Sequence, residues 1–228
     1  MSPFKAPGPD GISAYHLKQL SPMLIQEIFI GWAQDRMIPN ISNASEIVPI
    51  YKSGEPSKPT NYRPISLINT IVKLYELTIL HAIENRQELI AATQYGAMRG
   101  RSALLQYEQL ISAIDERLSR KEDTWLLLVD FSKAFDSVNR EIMIQKLAQC
   151  GISTHILNAI ALTQTNQYTR IIGTNMEWIP ILRGVRQGSP LGPFLFNIYV
   201  NDIRTIANPP PRMYLDDMAF IIQYYHRT

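Results

Sequence analysis

An α+β fold is predicted, and two observations carry it. Apolar runs of strand length pair into hairpins, at Tyr168 to Leu182 and again at Arg212 to Ile222. Longer stretches between them place apolar residues at helical spacing, as in Leu67, Ile71, Leu74, Ile79 and Ile83. At 228 residues the chain makes one large domain or two small lobes. Its 46% hydrophobic and 18% charged content is that of an ordinary globular protein. A net charge of +2 permits a nucleic-acid partner without demanding one. The single cysteine, Cys150, cannot close an internal disulfide, and with no signal-like N-terminus this points to a reducing compartment. No apolar run approaches the ~18 residues that span a bilayer.

The elements follow in order. Lys5 to Gly11 is rich in Pro and Gly and reads as turns. Leu17, Leu20, Leu24, Ile28 and Trp32 form a helical stripe, which Ser21-Pro22 divides because Ser caps and Pro suits a first turn. Glu46 to Lys52 reads as a strand, with Pro49 favouring an edge position. A Pro-rich loop, Ser53 to Thr60, precedes a helix expected from about Ser66 to Glu88. Thr93 to Ser102 is a glycine-punctuated basic loop whose Arg99 and Arg101 suit a phosphate backbone. Ser102 caps a helix carrying Leu105, Ile111, Ile114 and Leu118.

Trp125 to Val129 reads as a buried strand ending in Asp130. Helices are expected from about Asn139 to Gln149, stopped by Gly151, and from Thr154 to Leu162. A hairpin turns at Thr174-Asn175. Gly184 to Pro190 reads as a flexible loop, and Leu191 to Ile206 as a helix with Pro190 and Pro193 at its start. Asn208 and three prolines end it. Two short strands follow, with Asp216 and Asp217 at or beside their turn.

Adjacent carboxylates in an apolar setting repel each other and lose solvation, so they call for a cation or a proton. With Asp130 they offer three carboxylates on strand ends, a donor set suited to two Mg²⁺ ions. The plainer reading is a polar hairpin tip and one strand-end acid. Lys52 and Arg63 bracket the Pro-rich loop and suit a triphosphate, or are solvated loop charges.

Six blocks taken together resemble the reverse transcriptase domain of non-LTR (LINE-type) retrotransposons: KAPGPDG, NYRPISL, TQYGAMRGRS, LLLVDFSKAFDSV, GVRQGSPLGPFLFNIYVNDI and MYLDDMAFI. They run in the family's order from about Lys5 to Ile222. The resemblance implies a right-hand polymerase fold, with fingers over residues 1–124 and a palm with an antiparallel sheet packed on helices over 125–228; in departure from the family, the thumb is expected to be absent, since the chain stops just after the palm hairpin. It implies an RNA-directed DNA polymerase, a nucleotidyltransferase using Mg²⁺, with Mn²⁺ as a substitute. Its partners would be an RNA template, a DNA primer and dNTP. By position, Asp130, Asp216 and Asp217 are the catalytic, metal-holding acids. Lys52 and Arg63 meet the triphosphate, Phe135 is the steric gate under the sugar or else a core Phe, and Gln187 lies against the nascent base pair. Gly188, Ser189, Arg99 and Arg101 are template or primer contacts. Arg186 is a phosphate contact or a surface charge. Lys133 and Asp136 have structural roles.

Three positions depart from the family pattern: Leu215 where Ala is usual, Gly192 for a common Ser, and Ala97-Met98 for a Phe-containing step. The rival expectation is a retroelement remnant that at most binds nucleic acid. The family also implies nuclear action.

Overall fold

In the computed structural model, residues 5–83, 86–174, 176–206 and 208–223 are described. Chain contacts divide it into two units, Met1–Glu84 with Phe135–Gly192, and Asn85–Ala134 with Pro193–Thr228. The expected break at 124/125 coincides with none of these boundaries.

The first unit opens with α1 (Ala14–Leu17) and α2 (Pro22–Asp35). The Ser21 hydroxyl accepts from the Leu24 N–H at 3.2 Å with Pro22 in the first turn, so the helical stripe divides where the sequence predicts. Then come β1 (Ala44–Tyr51), β2 (Tyr62–Ile68) and α3 (Thr70–Ile83). The helix expected from Ser66 therefore begins later, and residues 62–68 form a strand antiparallel to β1. Its far end falls partly on residues outside those described, and Glu88 lies in a short 3₁₀ turn. In this unit α5 (Arg140–Gln149) starts at Asn139, whose side chain accepts from the Glu141 and Ile142 N–H groups. After it stand α6 (Thr154–Gln164), β4 (Tyr168–Ile171) and β5 (Ile179–Pro180). The predicted hairpin forms with a longer loop; Asn175 is outside the described residues.

The four strands join in the order β2-β1-β4-β5. Thus β1 is an interior strand rather than an edge. Pro49 is tolerated because β4 runs parallel to β1 only across Ala44 to Ile47, leaving the proline beyond that ladder. Trp32 and Tyr75 meet edge to face with ring centres 5.6 Å apart, joining α2 to α3.

The second unit contains α4 (Ala103–Ser119), β3 (Thr124–Val129), most of α7 (Gly192–Tyr199), β6 (Arg212–Tyr214) and β7 (Asp217–Gln223). Ser102 caps α4 by accepting from Leu105 N–H. A three-stranded antiparallel sheet has the order β3-β7-β6. Ala91, Met213 and Met218 form a core under it, with Val129, Ile203 and Phe220 packed alongside. The helix expected from Leu191 to Ile206 stops at Tyr199, and a 3₁₀ segment Asn201–Thr205 continues it. Asn201 is tied sideways, accepting from Ala91 N–H and donating to Leu89 O, both at 2.8 Å. Among the described residues no helix is long and apolar enough to cross a membrane.

Candidate active site

The acid hairpin forms as the alternation predicts. Tyr214 pairs with Asp217, so Leu215 and Asp216 make a two-residue turn. On the other side β3 pairs with β7 up to Val129 and Met218. The next step of that register puts Asp130 opposite Asp217, and directly opposed residues share a face of the sheet. Burial raises the Asp217 carboxyl above its usual range, and the negative charges of Asp216 and Asp130 raise it further. Asp130 thus acts by charge on Asp217, although the two lie far apart in the chain. The donors are carboxylate oxygens, which fit a hard divalent cation. Among the described residues no group of three His, Cys, Asp or Glu is already gathered around one cation position.

One expectation about this site is corrected. The strand leading to Asp130 is not buried: Trp125 is 62% exposed and Leu128 68%. It is the edge of its sheet, and Leu126 and Leu127 of its apolar run are exposed as well.

In the other unit, Lys52 and Arg63 lie at the open end of the β1–β2 ladder and are both exposed. Lys52 N–H donates to Asn61 O, and Ile50 faces Arg63. Alternation then puts Lys52 and Arg63 on the same face, diagonal neighbours across the hairpin. Phe135 is half-buried, and its carbonyl accepts from Val185 N–H at 2.9 Å. This seats the Phe135 turn beside the segment that carries Gln187.

The segment Gly184 to Pro190 is packed, not flexible. Arg186 is 5% exposed and donates twice to Asn43, to its backbone and side-chain oxygens, each at 3.0 Å. Its guanidinium also lies 3.8 Å from the buried carboxylate of Glu76. Neither a phosphate contact nor a surface charge describes it; its role is an internal ion pair. Ser189 donates to Glu76 at 2.6 Å, so its hydroxyl turns inward rather than toward a template or primer. The Gln187 carbonyl accepts from Ser66 N–H at 2.7 Å. Gly188, at φ +123°, brings backbone against Ser66, whose carbonyl oxygen would lie 2.5 Å from a Cβ at that position. Its close approach is thus to β2, whereas the sequence reading expected one to substrate.

Arg101 is likewise occupied, donating to the backbone oxygens of Ala91, Ala92 and Gln94. Arg99 stays exposed. Sequence reasoning missed Glu76, Asn43, Gln94 and Arg140. Arg140 ties α5 to the carbonyls of Gly184, Ile181 and Gln164, and burial lowers it to about 10. For Glu76 a signal existed: it sits on the same helical face as Val72, Ile79 and Ile83, all buried.

The family model for reverse transcriptase (RNA-dependent DNA polymerase) matches residues 50–227. The chain belongs to the reverse transcriptase family. A Pol polyprotein from the type-1 retrotransposable element R2 of Popillia japonica is 30% identical over 169 residues, 73% of this chain and 24% of that protein. The RNA-directed DNA polymerase from mobile element jockey of Drosophila melanogaster is 25% identical over 209 residues, 88% of this chain and 23% of that protein. The chain thus spans about a quarter of the length of these relatives, and its kinship is with non-LTR retrotransposons, as the six blocks implied. Among solved structures, telomerase from Candida tropicalis in complex with a telomeric RNA fragment aligns with TM-score 0.58 at 11% identity, over 87% of this chain and 40% of that one. Apo telomerase from the same organism aligns with TM-score 0.55 at 13% identity, over 87% of this chain and 48% of that one. These show that the chain shares their fold, consistent with the α+β polymerase fold of fingers and palm.

Proposed function

We propose that this chain is the fingers-and-palm portion of an RNA-directed DNA polymerase, which adds nucleotides from dNTP to a primer 3′ end on an RNA template. The reading is supported by the strand register, which pairs Val129 with Met218 and Tyr214 with Asp217, so that extending it by one step would face Asp130 toward Asp217 beside Asp216, within a family of polymerases. Asp130, Asp216 and Asp217 would hold Mg²⁺, or Mn²⁺ in its place. Two such ions, when bound, would lower the pKa of the primer 3′-hydroxyl and neutralise the leaving pyrophosphate. Lys52 and Arg63, cations on one face of an exposed hairpin, grip the β- and γ-phosphates. The Phe135 ring lies under the incoming sugar and refuses a 2′-hydroxyl. Gln187, anchored through its own carbonyl to Ser66, presents its side chain to the nascent pair. Arg99 contacts the template or primer backbone, which gives salt-dependent affinity with little sequence preference.

Primer extension on poly(rA)/oligo(dT) with Mg²⁺ tests this, using the 228-residue chain, a version extended through the family's thumb, and Asp216→Asn. The extended version is expected to incorporate dTTP, and Asp216→Asn to lower its kcat by on the order of 100-fold or more. No incorporation by the extended version, or full activity in the Asn variant, removes the reading and leaves a remnant that at most binds nucleic acid.

A further inference from the structure

Gln94 lies in the loop Thr93 to Ser102, where the sequence predicts template or primer contacts at Arg99 and Arg101. Its side chain is 1% exposed and turned instead toward the acid hairpin. Its Oε1 accepts from Leu215 N–H and from Gly96 N–H, each at 2.9 Å. Its Nε2 lies 3.4 Å from the Leu215 carbonyl oxygen. One side chain therefore addresses both backbone polar groups of the residue before Asp216.

The main chain reinforces the grip. Tyr95 N–H donates to Met213 O and Met213 N–H to Thr93 O, both at 2.8 Å. Gly96 presses on the turn: a Cβ there would lie 2.5 Å from Leu215 N. Asn197 fixes the other side of Gly96 by donating to its carbonyl at 2.9 Å.

Leu215 needs holding. It stands at φ +56°, a left-handed conformation that a bulky residue with a Cβ rarely adopts unaided. A buried N–H of Gly96 and a partly buried one of Leu215 share one acceptor, so losing that acceptor strands both.

We infer that Gln94 is the positioning residue of the acid turn: by bonding both polar groups of Leu215 it stabilises the left-handed backbone and so sets the aim of Asp216 and Asp217. The effect on catalysis rests on the polymerase reading above; the brace itself does not.

Three variants test it: Gln94→Met, Leu215→Gly, and the two combined. Amide hydrogen exchange on the 228-residue chain needs no activity. Gln94→Met is expected to speed exchange at Leu215 and Gly96 on the order of tenfold, with α5 amides unchanged. In the thumb-extended polymerase, a turn misaimed by about 1 Å is expected to lower kcat on the order of 10- to 100-fold, with KM for dNTP held within about twofold. Glycine adopts φ above zero without help, so the kcat cost of Gln94→Met should shrink to about threefold or less in the Leu215→Gly background. Unchanged exchange at Leu215 and Gly96 overturns the brace. A loss carried by KM, or an equal loss in the Leu215→Gly background, overturns the positioning role. If the parent incorporates nothing, the polymerase reading fails, while exchange still decides the brace. Should Gln94→Met fail to fold, Gln94→Glu decides instead, since it keeps the acceptor. Protection at Leu215 and Gly96 is then expected to stay within about threefold of the parent, and its loss overturns the inference.

Discussion

The segment 184–192 and the strand β3 invert what their compositions suggest. The first is short of large apolar side chains and rich in Gly and polar residues, yet Arg186 and Ser189 are nearly sealed from water. The second is an unbroken apolar run, yet Leu126, Leu127 and Leu128 are 44%, 49% and 68% exposed. What separates them is partners. The loop's polar atoms find Asn43 and Glu76 far away in the chain, and each hydrogen bond made offsets the cost of leaving water. The strand pairs its backbone on one side only, and its three leucines remain exposed.

If burial of the loop depends on that pairing, removing one charge should be the most damaging change. Arg186→Met leaves the Glu76 carboxylate buried beside Ser189 with only Lys73 as a nearby cation. A loss of roughly 3–5 kcal/mol is expected in urea unfolding, and Glu76→Leu added to it should recover most of that. The deficit should also depend on pH. Burial raises the Glu76 carboxyl above its ordinary 4.5, and Arg186 is the largest influence pulling it down. Without Arg186 the carboxyl rises further. A folded state that holds its proton more tightly than the unfolded chain loses stability as pH climbs from the ordinary value through the raised one. The deficit therefore widens as pH passes the point where wild-type Glu76 ionises. A deficit that is flat from acid to neutral pH, or absent, breaks the comparison.

A smaller loss is expected from Gly188→Ala. The added Cβ meets a backbone oxygen, which cannot swing aside as a side chain could, at a φ that L residues rarely adopt. About 1–3 kcal/mol of destabilisation is expected. Exchange at the Ser66 amide should quicken as its bond to Gln187 opens, which places the damage in the loop rather than in the fold at large.

The same contrast explains what the sequence could and could not convey. Caps at Ser21 and Ser102 were legible because capping is a local exchange between a side chain and the next turn. The acid hairpin was legible from period-two alternation, and Asp130 from its place after a strand. The strand β2 was not, since Ile65, Leu67, Ile68 and Ile71 satisfy strand and helix spacing at once; pairing with β1 decides it. The break after Tyr199 depends on Asn201 bonding to Leu89 and Ala91, which no window along the chain contains. Residue type suggests a nucleic-acid contact at Arg101 and the family resemblance one at Ser189, and both instead meet inward-facing oxygens. Residue type limits which bonds can form, while the fold selects the partner.

The least effect should come where composition promised the most. A leucine in a packed core costs about 2–5 kcal/mol when cut to Ala, and Leu195, fully buried on α7, is expected to behave so. Leu128→Ser in the 228-residue chain is expected to stay within about 0.5 kcal/mol of wild type, since its side chain already faces water. Urea midpoints for the two variants measure the difference directly. A Leu128→Ser loss as large as that of Leu195→Ala would mean that β3 is covered in solution, by another copy or another part of the chain. The exposed strand would then stop being a counterpart to the sealed loop and become a second instance of the same rule, burial secured by a distant partner.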